Sequence, residues 1–363
     1  MKEDPSFLSE QLITYIGNKR ALLPLIERGV RAVIQRTGRK KLRVYDAFSG
    51  SGVVSRFFKQ FSSALFCNDL ELYSRILNTC YLSNHNSISY QELVQQHATL
   101  CHHIATTPTP GFISELYAPE DDENIKPGER VFYTRRNAVY LDTARQLIDS
   151  LPLHLQPYFL APLLTQASVH TNTSGVFKGF HKNDKGIGQF GGRGRNALQR
   201  ILAPISIPLP IFSRFECDYR VLQQDATEAA RSLPELDLAY LDPPYNQHPY
   251  GSNYFMLNLL AEYKRPQNTS RVSGIPTDWN RSAYNTRAKA AESLSTLIGT
   301  ISAPHILISY NSEGFITPQE METLLRTHGR VTLMQQDYAT FRGCRNLRNR
   351  ATHVHEFLYL VER

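Results

Sequence analysis

Short apolar runs that end on an acid, each followed by apolar residues at helical spacing, recur at both ends of this chain and vanish in its middle. The first run, 42–46, closes on Asp46 and a small-residue turn, Ala47-Phe48-Ser49-Gly50-Ser51-Gly52, before an apolar helix start through Phe57 and Phe58. The next, 64–67, closes on Asn68-Asp69; 219–224 closes on Asp225, and 238–241 on Asp242. Strand runs alternating with helical ones predict βα units and a parallel sheet. Three further strands are expected at 305–310, 331–336 and 354–361, the last two suited to an antiparallel pair. Ahead of the first strand, Leu22, Leu23, Ile26, Val30, Val33 and Ile34 form the stripe of an amphipathic helix, entered through a turn at Gly17-Asn18.

Between 81 and 212 the βα rhythm stops. Helical patches at 91–104, 138–151 and 158–169 and an acidic connector at 120–123 read as an insertion, so the chain divides into 1–80, 81–212 and 213–363. Between Lys178 and Arg200 the insertion carries six cations, Lys178, Lys182, Lys185, Arg193, Arg195 and Arg200, against the single acid Asp184, among glycines and the rings of Phe177, Phe180 and Phe190. Basic side chains with close-lying backbone suit phosphate contact; a solvated charged face is the alternative. The run Gly186–Gly192 lacks a Gly-Lys-Ser/Thr ending and a preceding strand, which sets an ATPase loop aside.

Composition narrows the classes. At 363 residues, 41% hydrophobic and 20% charged, the chain is a folded globular protein of one large domain or a domain with an insertion. A net charge of +7 permits a polyanionic partner. Five cysteines without zinc spacing fit reduced thiols in a cytoplasm, and His353 and His355 lack a third ligand, so no metal is expected. No signal peptide or membrane span is expected either.

The candidate chemistry lies at the strand ends. Gly50 and Gly52 leave a ligand room across the first turn, and an acid ahead of it favours a ligand bearing an ammonium or sulfonium, which points to S-adenosylmethionine rather than NAD. A branched side chain at Gly50 is expected to obstruct that ligand, with little loss of fold provided the turn backbone tolerates it. Asp69 stands where a ribose-binding acid belongs, although Asn68-Asp69 also suits a helix cap. Asp225 is placed to accept from an adenine amine. Tyr15 and Lys19 border the N-terminal turn, where Lys19 and open backbone amides could meet a ligand carboxylate; an ordinary cap with solvated Lys19-Arg20 is the alternative. Asp242-Pro243-Pro244-Tyr245 ends the most apolar strand in a rigid row of acceptors beside an aromatic face, suited to a flat heterocycle with an exocyclic amine. The polar stretch 266–286, with Trp279, is expected to be a mobile loop.

Taken together, Tyr15-Ile16-Gly17-Asn18-Lys19-Arg20, Asp46–Gly52, Asn68-Asp69 and Asp242-Pro243-Pro244-Tyr245, in that order around an insertion, resemble the motifs of the Dam-like (D12 class) adenine-specific DNA methyltransferases of bacteria and phages. Asn172–Lys178, Ser309–Gly314 and Glu356–Tyr359 look like segments of a subset found with restriction systems. The resemblance implies a Rossmann-like α/β methyltransferase sheet with a mainly helical target-recognition insertion. It implies catalysis by Asp242, Pro243, Pro244 and Tyr245, and a cofactor site of Tyr15, Lys19, Asp46, Phe48, Gly50, Ser51, Gly52, Asp69, Asp225 and Asp242. DNA contacts would come from Lys178, Lys182, Lys185, Arg193 and Arg195, with Arg342, Arg345, Arg348 and Arg350 in reserve. The implied partners are double-stranded DNA and a cognate restriction endonuclease. Rival readings are an N4-cytosine DNA methyltransferase, an RNA or protein-glutamine methyltransferase on the same fold, and a noncatalytic DNA-binding relic.

Overall fold

The computed structural model describes residues 2–9, 11–195, 197–339 and 353–363. The expected acid-terminated runs become seven strands of one sheet: β1 (Leu42–Asp46), β2 (Ser62–Asp69), β3 (Asp218–Gln223), β4 (Leu238–Leu241), β5 (His305–Asn311), β6 (Arg330–Ala339) and β7 (His353–Glu362). Their order is β3-β2-β1-β4-β5-β7-β6. The first five run parallel, β7 is antiparallel to β5, and β6 is antiparallel to β7, as expected for the last pair. This is a Rossmann-like sheet. Every residue of β4 is buried, since both its faces and both its edges are covered.

Two helical layers cover the sheet. On one face, helices Leu23–Thr37 and Val53–Phe58 pack Leu25, Ile26, Val30, Val33, Phe57 and Phe58 against Val44, Leu238, Tyr240, Leu307 and Leu358. On the other, helices Ala226–Arg231, Arg287–Thr300 and Pro318–Arg326 cover Tyr45, Ala239, Leu241, Ile306 and Ile308. Strand order reverses between β1 and β4, and a crevice opens beyond the carboxyl ends of strands at such a reversal. Asp46 and Asp242 lie at that place.

The mainly helical insertion between β2 and β3 carries helices Tyr90–Thr106, Phe112–Tyr117, Arg135–Asp149 and Gln156–Val169. The last is apolar almost all round and forms a core helix. Its core does not stop at residues 81 and 212: Phe159, Leu163 and Leu164 join one cluster with Tyr73 and Leu77 from helix Leu72–Tyr81 and with Phe255, Met256 and Leu260 from helix Phe255–Glu262. Buried Arg145 strengthens that join by donating from Nε to the Leu260 carbonyl (2.7 Å) and from Nη2 to that of Ala261 (3.1 Å). Among the described residues no helix is long and apolar enough to cross a membrane.

Candidate active site

A cavity of about 200 Å³ opens beyond the ends of β1, β2 and β4. Its wall includes Tyr15, Phe48, Gly50, Asp69, Asp225, Asp242 and Pro244 from the expected set, and Glu71, Tyr250, Asn280 and Asn285 besides. Asn68 knits the ends of β1, β2 and β3 below it: its side-chain amide donates to the carbonyls of Ala47 (3.3 Å) and Gln224 (3.0 Å), and its oxygen accepts from the Gln224 amide (3.2 Å).

The turn after β1 works through backbone more than side chains. Gly50 has φ +51°, and its amide donates to Asp69 Oδ2 (2.8 Å) while the Glu71 amide donates to Oδ1 (2.9 Å). A Cβ on Gly50 would lie 2.8 Å from the Tyr15 ring, so the glycine makes room for Tyr15 as well as for a ligand, and the expected tolerance of the fold to a larger side chain is corrected. Tyr15 stacks on Tyr250 (5.0 Å) and Tyr254 (4.9 Å) and shares a hydroxyl hydrogen bond with Tyr73 (3.2 Å). Gly52, at φ +79°, begins helix Val53–Phe58 with its Cα against Asn78, and Ser51 is buried; neither borders the cavity.

Asp46 lies fully buried behind the wall, accepting from the Ser55 hydroxyl (2.5 Å) with Oδ1 unpartnered. Burial raises its carboxyl to about 7. Glu71, which the sequence did not single out, is likewise pushed up to about 7 by burial; its Oε2 accepts from Asn258 (2.5 Å) and Asn280 (3.2 Å). Asp225 combines two roles, since it lines the cavity and caps helix Ala226–Arg231 by accepting from the amides of Thr227 (2.8 Å) and Glu228 (3.4 Å). The stretch 266–286, expected to be mobile, is a tied wall: Asn280 donates to the Leu70 carbonyl (3.1 Å), and Asn285 donates to that of Asn246 (2.8 Å).

At the β4 corner Pro243 is buried, Pro244 reaches the cavity, and the Tyr245 ring meets Tyr310 edge-on at 5.8 Å. The Tyr245 carbonyl accepts from the Phe315 amide (2.9 Å), fixing the corner against the end of β5. Lys19 departs from its expected task. Its buried ammonium pairs with Asp242 (3.2 Å) and with Glu356 on β7 (3.6 Å), so the protein's own carboxylates occupy it. Burial raises the Asp242 carboxyl to about 6, with Lys19 opposing that rise and Glu356 adding to it. Gly17, at φ +73°, passes the chain tightly over the Tyr245 and Tyr250 hydroxyls, which a Cβ there would meet at 3.2 and 3.4 Å.

The basic stretch of the insertion forms a small hairpin, with Lys182 bridged to Gly188. Asn172 fastens it through bonds to the Val131 and Gln189 carbonyls (2.8 and 3.2 Å) and from the Gly191 amide (2.9 Å). Lys178, Lys182, Lys185, Arg193 and Arg195 are exposed, though Arg193 pairs with Asp184 at 3.5 Å. Arg200 and Phe177 belong to the fold instead: Arg200 donates to the carbonyls of Val169 and Thr171, and Phe177 packs on Phe132 and Phe255. The hairpin lies near the segment that follows the β4 corner, because the charge of Lys178 adds to the burial that lowers His248, and the Ser273 hydroxyl donates to the Lys178 carbonyl (2.6 Å). Arg342, Arg345, Arg348 and Arg350 lie outside the described residues.

Comparison with known proteins agrees with this geometry. A family model described as D12 class N6 adenine-specific DNA methyltransferase matches residues 15–324, which hold every motif described above except the segment of β7. The type II methyltransferase M.NlaIII of Neisseria lactamica is 28% identical over 97% of this chain and 99% of its own length. M.CviAII of Paramecium bursaria Chlorella virus 1 is 27% identical over 96% of this chain and 98% of its own. The modification methylase StsI of Streptococcus sanguinis is 28% identical over 96% of this chain, which spans only 52% of that longer protein. With the family match running from the N-terminal turn past the β4 corner, the chain belongs to the D12 class N6 adenine-specific DNA methyltransferase family and is an adenine-specific DNA methyltransferase.

Proposed function

We propose that this enzyme transfers a methyl group from S-adenosyl-L-methionine to N6 of an adenine extruded from double-stranded DNA. In this reading it acts in the cytoplasm as the modification partner of a restriction endonuclease that cuts the same site. The observation that carries the reading is Asp242-Pro243-Pro244-Tyr245 at the end of β4, facing a cavity bordered by acids from the ends of neighbouring strands.

The residues present suit that donor. Asp46 Oδ1 is a buried carboxylate oxygen without a hydrogen-bond partner, a deficit that a nearby cationic group relieves. Asp69 would accept from ribose hydroxyls and Asp225 from the adenine amine, while Phe48 and Tyr250 offer apolar faces. When bound, S-adenosylmethionine supplies an electrophilic methyl group on a sulfonium.

The rest is the work of the chain. Adenine N6 inside a duplex is out of reach, so the base must leave the stack, and Tyr245 would hold its face. Asp242 and the Pro243 carbonyl would accept the two N6 hydrogens, drawing the nitrogen lone pair out of the ring system and orienting it. Lys19 keeps Asp242 ionised despite its burial, so above about pH 6 the acceptor is a carboxylate. Methylated N6 carries one proton too many, and Asp242 is the base beside it. Lys178, Lys182, Lys185, Arg193 and Arg195, all exposed, would hold phosphates.

The test is incubation with tritiated S-adenosylmethionine and unmethylated plasmid, followed by hydrolysis to nucleosides. Label in N6-methyl-2′-deoxyadenosine that protects one recurring sequence is the expected result. No label, or label in N4-methyl-2′-deoxycytidine, would overturn the reading.

A further inference from the structure

Glu356 stands on β7 opposite Asn311 of β5 and Gln336 of β6, and only 4% of it is exposed. Its partner Lys19 already has a carboxylate at 3.2 Å in Asp242. Burying an ammonium calls for one counter-charge, and adding a second carboxylate costs desolvation that pairing does not fully offset. The three groups together carry one net negative charge. Among the described residues the other ionisable groups around them include Asp46, Glu313 and the hydroxyls of Tyr240, Tyr245 and Tyr250, and Lys19 is the cation they share. Of the three charged side chains Asp242 is the most open, at 17% against 3% for Lys19 and 6% for Glu356, and it is the one that borders the cavity.

A lysine stem is long, and with a single partner its ammonium would settle wholly on Asp242, competing with an incoming amine for the same oxygens. A second carboxylate divides its attraction. We propose that Glu356 is a positioning residue for methyl transfer, sharing the Lys19 ammonium so that Asp242 keeps a surplus of negative charge where the substrate amine becomes cationic. This rests on the function proposed above. It deepens that reading by giving the strand β7 segment a task outside the cavity wall. The rise that Glu356 lends to the Asp242 carboxyl accords with such sharing.

The test is Glu356→Gln in the full chain, with single-turnover rates measured across pH at saturating S-adenosylmethionine and DNA, and circular dichroism to check folding. The rate is expected to fall between about ten- and a hundredfold, the upper figure being the loss that a displacement of about 1 Å brings at a reacting centre. DNA affinity should be unchanged. The acid limb of the profile should move to lower pH, because Asp242 loses a like-charged neighbour and ionises more readily. A folded variant with the wild-type rate overturns the proposal, and so does a rate loss with an unmoved acid limb, which marks a structural role only. Should Glu356→Gln fail to fold, Glu356→Asp replaces it: the charge is kept but withdrawn, so a slower rate with the acid limb moved part of the way to lower pH supports the proposal, and full activity or a slower rate with an unmoved limb overturns it. Wild-type enzyme that methylates no adenine removes the functional reading as well; an active wild type beside an unaffected variant removes only the role of Glu356.

Discussion

Replacing Gly50 by alanine tests how the turn after β1 is built. The residue sits at φ +51°, where an L side chain costs about 1–2 kcal/mol. The new Cβ would lie 2.8 Å from Tyr15 Cε1, 3.0 Å from Oη and 3.1 Å from Cζ, too close for the ring to stay where it is. Tyr15 has no easy retreat, since it is stacked on both Tyr250 and Tyr254 and bonded to Tyr73. Crowding of this kind costs about 1–3 kcal/mol, so a total near 3 kcal/mol is expected. An unfolding entropy of about 2.1 cal/mol/K per residue turns that into a fall in Tm of roughly 4 °C for a chain of this length. Thermal melts followed by circular dichroism would measure it, with calorimetric titration of S-adenosylmethionine on the same preparation. Both Tm and affinity should fall together. A Tm unchanged within about 1 °C alongside lost binding would refute the crowding argument and make Gly50 a matter of ligand clearance alone.

Asp242→Ala should lower methyl transfer by at least about a thousandfold while S-adenosylmethionine binding stays measurable by calorimetry, since the carboxylate acts chiefly on the target amine. Lys182→Ala and Lys185→Ala should each weaken cognate and random duplexes by a similar factor and reduce the slope of log affinity against log salt by about 0.9, whereas Arg200→Ala should leave that slope unchanged and lower Tm. The Glu71 carboxyl lies at about 7 in the fold against an ordinary 4.5, so the folded state holds an extra proton between those values and its contribution to stability is lost as pH rises through 7. Urea melts of the ligand-free protein should therefore show wild type losing stability relative to Glu71→Gln between about pH 4.5 and 7, with the difference level above that. A difference that does not vary with pH would contradict it.

The strands, the glycine turn and the prolyl corner after β4 were legible because each is written in consecutive residues: an apolar run of strand length, an acid at its end, and prolines or glycines whose backbone limits are local. The three long helices of the insertion were legible for the same reason, the expected patch 91–104 lying within the observed Tyr90–Thr106, whereas the short helix Phe112–Tyr117 was not. Of the cations between Lys178 and Arg200 the structure exposes five and builds one into the fold. Whether a cation faces solvent or ties a carbonyl, as Arg200 does, depends on what the fold lays beside it.

The partners of the site were set by the tertiary structure alone. Tyr250 donates to the Ile16 carbonyl from 234 residues away, and Tyr254 accepts from the Ile16 amide across 238 residues. No spacing rule joins such positions. Lys19 looked like a residue for a ligand carboxylate because its local neighbours offer it no acid; β4 and β7 bring Asp242 and Glu356 to it once the sheet closes. Glu71 and Asn280, far apart in the chain, meet over the cavity and turn a polar stretch with loop composition into a wall. A sequence records which groups are able to ionise, donate or stack; the sheet's order decides which of them meet, because burial and distance, not residue type, set the strength of each charge.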